Sequence, residues 1–309
     1  FPGKGLLCGL ILVPMILPPF VGAIGFQQIL GQYGALNAAL GLGPVDWLGR
    51  GRAFGVIVLQ SLGLYPILYL NAAAALANID PAMEEAAENL GCSGFRKFRR
   101  ITLPLMMPGL FAGGAILFIW SFTELGTPLI MGYTRCASVQ VYDALKEIGS
   151  NPFPYALVFV MLSCSVALYA AVRLTFGRRA HAMQSKAAVT FTARRLRGGK
   201  AALAALPFLL VIGVALLPHL GVVLTSFSEP GSWYRGVLPE AWTLGNYRDA
   251  LGHAMTVSSI RNSLIFSLLA VALNLVLGIA VALVVVRSSL RFRGALDALV
   301  ERGGDDDVL

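Results

Sequence analysis

The side chains that could do chemistry in this chain are few, and most lie together. Residues 83–104 read "MEEAAENLGCSGFRKFRRITLP", with Glu84, Glu85 and Glu88 followed by Arg96, Lys97, Arg99 and Arg100. Glu124, in "IWSFTELGTP", is the one acid apparently inside an apolar run. Neither group is a hydrolytic constellation: no paired carboxylates and no Ser/His/Asp cluster accompany them. The cysteines Cys8, Cys92, Cys136 and Cys164 are scattered without a CxxC or Cys/His pattern, which argues against a zinc site or a disulfide framework. His181, His219 and His253 are isolated, and each reads as a satisfied or surface imidazole. "RGGKAAL" at 197–203 lacks the first Gly of a phosphate loop and the Ser/Thr after its Lys, so it does not read as a nucleotide site. What remains is binding and mechanics. A carboxylate in an apolar run can contact a cationic solute, and a compact acidic-then-basic element can dock on an acidic surface or on lipid headgroups.

The elements that must position these residues are apolar. The 309 residues are 57% hydrophobic and 13% charged, with mean hydropathy +0.73. A soluble domain carries about 25% charge, so the composition points to a bilayer. Crossing the hydrocarbon layer takes about 20 mostly apolar residues. Six such segments occur, at about 5–28, 54–77, 105–130, 154–176, 201–227 and 260–286. Residues 53–79, 148–172, 201–228 and 262–286 contain no Asp, Glu, Lys or Arg, unlike the alternating strands of a barrel. The expected fold is an all-α polytopic membrane helix bundle with about six spans.

Charge orients it. With 78–104 in the cytoplasm, the inside segments hold 17 of the 24 Lys and Arg and the outside segments 7. That bias predicts both ends of the chain in the cytoplasm. The net charge of +8 is therefore topological, and no nucleic-acid partner is expected. Residues 177–200 are basic and free of acids, which reads as a cytoplasmic linker between two membrane units. Residues 228–258 read as an outer loop, with Trp and Tyr at the interface.

Local signals fold 80–104 into an elbow. Asp80 is an N-cap and Pro81 suits the first turn. Glu84, Glu85 and Glu88 favour the positive end of the helix dipole. Gly91 ends that helix or lets it bend. Phe95, Phe98 and Ile101 recur at threes, which predicts a second short amphipathic helix, and Pro104 and Pro108 open the next span.

These residues resemble a known family. Glu85-Ala86-Ala87, three residues, Gly91, nine residues, Ile101, one residue, Leu103-Pro104 is similar to the EAA loop of binding-protein-dependent ABC importer permeases. The resemblance implies the type I transmembrane fold. It also implies that Glu85, Ala86, Ala87, Gly91, Ile101, Leu103 and Pro104 form a coupling helix docking on ATPase subunits, with both alanines small so that the helix seats closely. Further partners implied are a periplasmic or lipid-anchored solute-binding protein and membrane lipids. The chain is then a transport subunit, not an enzyme, with no cofactor of its own. "ILVPMILPPFVGAIGFQQILG" resembles the proline-rich region of such permeases, and "TLGNYRDAL" onward resembles entry into a second unit, as in two-unit ferric-iron permeases. On that layout 1–176 is most of a first unit, 177–200 a linker and 201–300 the start of a second. The ending "ERGGDDDVL" at 301–309 departs from the pattern, and a fragment of a longer permease is expected.

The substrate the two-unit layout favours is ferric iron, with phosphonate, polyamine or another small solute as alternatives. A secondary transporter or channel would share the hydropathy, but it would more often show several intramembrane charges and would not need the elbow. For Glu124 two roles stay open, a pathway carboxylate and an interfacial structural group, and Gly126, Thr127 and Pro128 predict a broken helix end beside it. Asn71, Asn262, Ser263 and Asn274 are expected to make interhelical hydrogen bonds, and Gly109 and Gly113 to allow close helix packing.

Overall fold

The computed structural model describes residues 3–49, 52–146, 151–180 and 196–287. These are helical, with no strand among them beyond a single bridge between Ser228 and Trp242. In chain order the helices are α1 (Lys4–Leu10), a 3₁₀ turn (Val13–Met15), α2 (Pro19–Leu30), α3 (Ala35–Leu40) and α4 (Ala53–Ala77). Then come α5 (Pro81–Asn89), α6 (Gly94–Lys97), a π-helical turn (Phe98–Thr102), α7 (Leu103–Thr123) and α8 (Gly126–Ile130). The rest are α9 (Ala137–Lys146), α10 (Phe153–Ala180), α11 (Gly199–Phe227), α12 (Gly245–Gly252) and α13 (Ala254–Arg287).

Five helices among the described residues are long and apolar enough to cross a membrane, and a bent pair would make a sixth. At 1.5 Å per residue, the 25 residues of α4 reach roughly 37 Å, enough for a hydrocarbon core of about 30 Å. The all-α polytopic bundle is thus as expected, with one change of shape. The segment expected as a single span at 5–28 bends by 97° between Lys4–Met15 and Pro19–Leu40. Pro14, Pro18 and Pro19 cause the break, because each lacks the N–H that a continuing helix would use and its ring crowds the preceding turn. Two other boundaries move. The span expected at 105–130 stops at Thr123 and restarts at Gly126, and the last begins at Ala254 rather than 260.

Small residues set how closely the helices approach. On α7, a Cβ at Gly109 would lie 2.6 Å from the Ala75 Cβ, and one at Gly113 would lie 2.7 Å from the Asn71 Cβ. The close packing expected of this glycine pair therefore exists, and α4 is its partner. Asn71 itself does not bond across helices as expected. Its Nδ2 donates to the Ile67 carbonyl one turn back, 2.9 Å away, with Gly113 of α7 seated against its side chain. The α2–α11 crossing is as tight: a Cβ on Gly25 would fall on the Pro218 carbonyl and 2.7 Å from the Val222 nitrogen. Leu7 of α1 and Ile11, which caps its end, bury with Ile212 of α11, and the Tyr65 hydroxyl donates to the Ile11 carbonyl at 2.7 Å. A second core gathers Ala23, Phe26, Leu48, Val56, Leu59 and Met131. Residues 181–195 of the expected linker, and the tail 301–309, lie outside the described residues.

Candidate functional site

The elbow forms between α4 and α7. The Asp80 carboxylate accepts from the Ala82 amide at 2.9 Å and Pro81 occupies the first turn, so α5 starts where its cap chemistry dictates. It stops at Gly91, whose φ of 77° lies in the left-handed region. The Gly91 amide donates to the Glu88 carbonyl at 2.9 Å and the Cys92 amide to the Ala87 carbonyl at 2.8 Å. That reciprocal pair satisfies the last carbonyls of α5 and reverses the chain.

Two faces of α5 result. Glu84, Ala87 and Glu88, three and four apart, share the inward face. Ala87 is 7% exposed. Lys97 Nζ lies 2.8 Å from Glu88 Oε1 and 3.5 Å from Glu84 Oε2, and Thr102 Oγ1 donates to Glu84 Oε1 at 2.9 Å. Glu85 and Ala86 are exposed away from that face, and Met83 and, at 87%, the capping Leu90 are exposed along its edge, on the side of Ala87. The alanines therefore divide. Ala86 is free to meet another surface, but Ala87, expected to do the same, is buried against its own chain because the helix turn carries it inward with Glu84. The segment from Phe95 to Ile101 is not a separate amphipathic helix either. It runs through α6 and the π-turn into α7, with Ile101 and Leu103 half-buried and Pro104 exposed.

At the far end of α7 the chain breaks at Glu124. Both carboxylate oxygens lie 3.0 Å from the Thr127 amide, which donates to them, and Gln60 Nε2 donates to Oε2 at 3.4 Å. Ser121 Oγ donates to Gln60 Oε1 at 2.6 Å, and Ser138 Oγ to the Glu124 carbonyl at 2.8 Å. The broken helix end expected beside Glu124 is thus present, and the carboxylate caps the restart at α8. Cys136 stands near it: burial, then the Glu124 charge, pushes its thiol above the ordinary range. Among the described residues no group of three or more His, Cys, Asp or Glu could hold a metal ion.

Beyond Glu124, 228–243 folds over the end of α2. Gln28 Nε2 donates to the Trp233 carbonyl at 2.9 Å, and the Arg235 guanidinium lies 4.6 Å from the Tyr33 ring centre. A cavity of about 440 Å³ opens there between Gln27, Gln28, Asp46, Arg52 and Trp233.

Sequence reasoning found the cap at Asp80 and the turn at Gly91. It missed Lys97 and Thr102 as partners of α5, and Gln60 as a partner of Glu124. For Lys97 the signal was present in Glu84 and Glu88 at i, i+4; for Gln60, 64 residues from Glu124, none was.

Residues 1–181 match the family model described as binding-protein-dependent transport system inner membrane component. The chain belongs to that family. The elbow and Glu124 both fall inside the matched part of this inner membrane component. Its relatives include a probable molybdenum ABC transporter permease of Haloferax volcanii, 30% identical over 54% of this chain and 61% of that protein. A ferric transport system permease of Actinobacillus pleuropneumoniae is 26% identical over 93% of this chain and 42% of its own. A putative 2-aminoethylphosphonate transport system permease of Salmonella paratyphi A is 28% identical over 58% of this chain and 64% of its own. The chain thus spans about two fifths to three fifths of the length of these relatives.

Proposed function

We propose that this inner membrane component forms part of the solute pathway of an ATP-driven importer, and that its elbow docks on a separate ATPase subunit. The observation that carries the reading is the outward face of α5. Ala86 stands exposed next to Met83 and Leu90, with Glu85 exposed further round, on a helix whose Glu84, Ala87 and Glu88 are already engaged within the chain. An exposed apolar patch around small residues marks a surface for a partner. Such a partner closing on ATP would push α5, and α7 would carry the push as a rigid element. A secondary transporter has no use for that surface.

The elbow lies in the cytoplasm on this reading, as do both ends of the chain, supported by the Lys and Arg bias. A solute-binding protein delivers cargo to the opposite face, and lipid covers the exposed apolar sides of α10, α11 and α13. Residues 1–176 form most of one unit and 201–300 begin a second, joined by 177–200. The family match ending at 181, while the ferric relative aligns over 306 residues, supports that layout. The same alignment favours ferric iron as cargo, with molybdenum- and phosphonate-type solutes as the competitors. Glu124 holds the break at the outer mouth of the pathway.

The test is Ala86→Trp in the permease reconstituted with its ATPase and binding protein. Ala86 is exposed, so the added indole leaves the isolated fold intact and blocks only a docked partner. Solute-stimulated ATP hydrolysis should fall at least tenfold while the permease inserts normally. Stimulation at the parental level would overturn the docking. Uptake of ferric iron, molybdate and 2-aminoethylphosphonate by the parental protein decides the cargo.

A further inference from the structure

The turn between α6 and α7 is wound wider than the helices it joins. The Leu103 amide donates to the Phe98 carbonyl, five residues back, where an α-helix would reach four. π-turns are rare and concentrate at functional positions. Here the winding has a definite consequence. Lys97 and Thr102 are five residues apart, and on an α-helix they would point about 140° away from each other. In that register Ile101, four residues on, would share the face of Lys97. The π-turn instead stacks residues five apart, so Lys97 and Thr102 both meet the inward face of α5.

Their contacts there interlock. Lys97 reaches Glu88 and Glu84, and Thr102, only 6% exposed, donates its hydroxyl to the second oxygen of Glu84. Glu84 is held by both. Neighbouring Arg96, Arg99 and Arg100 are exposed, so of the four cations in this run Lys97 is the one turned toward α5. The short turn through Gly91 to Ser93 and the buried Ala87 hold the end of α5. Glu84 and Glu88, one turn apart, add two polar attachment points that fix the direction of its axis against α6 and α7.

We propose that Lys97 and Thr102, brought to one face by the π-turn, are positioning residues that set the angle of the coupling helix against α7. This rests on the coupling role proposed above for the elbow. Neither residue meets the ATPase on this view; they act by keeping Glu85 and Ala86 aimed at it and by making α5 and α7 move as one body. Replacing either partner uncouples the two helices without changing the docking face.

The experiment uses the permease with its ATPase and binding protein in nanodiscs, comparing Lys97→Met, Thr102→Val, the double variant and the conservative Lys97→Arg and Thr102→Ser. Two quantities are read: amide hydrogen exchange across 84–92, and the ratio of solute-stimulated to basal ATP hydrolysis. The double variant should exchange at least tenfold faster at Leu90, Gly91 and Cys92 and lose most of the stimulation. The conservative variants should retain most of both. Unchanged exchange overturns the brace, and faster exchange with full stimulation overturns its role in coupling. Should the double variant fail to insert, Thr102→Val, which removes only a hydroxyl, carries the same two readouts. Uncoupling by Ala86→Trp with full coupling in the Lys97 and Thr102 variants sinks this inference and leaves the docking standing. Full coupling in Ala86→Trp sinks the docking itself.

Discussion

The crossing of α2 and α11 offers a quantitative test, because two effects of one methyl group oppose each other there. Gly25→Ala adds a Cβ 2.7 Å from the Val222 nitrogen and 3.0 Å from its Cγ2, and closer still to the Pro218 carbonyl. Ordinary contact begins at 3.4 Å, so the nitrogen alone requires a shift of 3.4 − 2.7, about 0.7 Å. The obstructing atoms are mostly backbone and cannot rotate away, so the helices must separate along the whole contact. Overpacking of this kind costs about 1–3 kcal/mol, and a backbone clash belongs at the upper end. Against it, alanine gains roughly 1 kcal/mol over glycine in a helix. The net expectation is a loss of about 2 kcal/mol, roughly 30-fold in the folding equilibrium. Gly213→Ala, on the same α11, is the control: it is exposed, and its Cβ would meet nothing within 4 Å. That change should keep the helix gain without the clash and be neutral or stabilising. Denaturant titration in mixed micelles reads both. If Gly25→Ala proved as stable as the parent, or Gly213→Ala the more damaging of the two, the packing argument for this crossing would fail.

Further expectations concern the turn and the break. Gly91→Ala should cost roughly 1–2 kcal/mol, all of it conformational, since a Cβ there would meet nothing but the backbone must stay at φ 77°. Gly91→Pro should do more: it fixes φ near −65° and deletes the amide that bonds Glu88, so the elbow opens to limited proteolysis at 81–92 while the spans still insert. Protection at the parental level in Gly91→Pro would contradict that account of the turn. Cys136, kept as the only cysteine, should react with maleimide at pH 8 more slowly than a free thiol of pKa about 8.5, because the thiolate is the nucleophile and both burial and Glu124 disfavour it. Glu124→Gln removes the smaller of those causes, so the rate should rise a few-fold without reaching that of a free thiol; a slower reaction would show that Glu124 does not act on Cys136.

What could be read in advance was local. Asp80, Pro81 and Gly91 act through their own backbone neighbours, so their types alone announced where α5 begins and ends. The spans were legible because hydropathy needs no partner. The break in the first span was harder: Pro14, Pro18 and Pro19 were in view, but a window of about 20 residues averages over them and returns one rod. Ala87 shows a different failure. The motif names it beside Ala86, and only the rotation of a folded helix tells that one faces out and the other in. Gln60 belongs to a last kind, since a hydrogen bond across 64 residues leaves no trace in local pattern.

The same geometry ties the elbow to the rest of the bundle. α7 cannot slide past α4 freely, because Gly109 and Gly113 seat it against Ala75 and Asn71 at distances that exclude a methyl group. α2 and α11 are seated as closely at Gly25 and Gly221. The bundle therefore contains two pairs whose members move together, and the weak points lie where helices stop: at the proline break before Pro19, and at Glu124. A Cβ on Gly126, just past Glu124, would lie 2.7 Å from the Phe20 Cβ, just past the proline break. The two breaks touch each other. The pairs also meet in the core, where Ala23 and Phe26 of α2 pack with Val56 and Leu59 of α4, so a displacement of one pair passes to the other there as well as at the contact between the breaks.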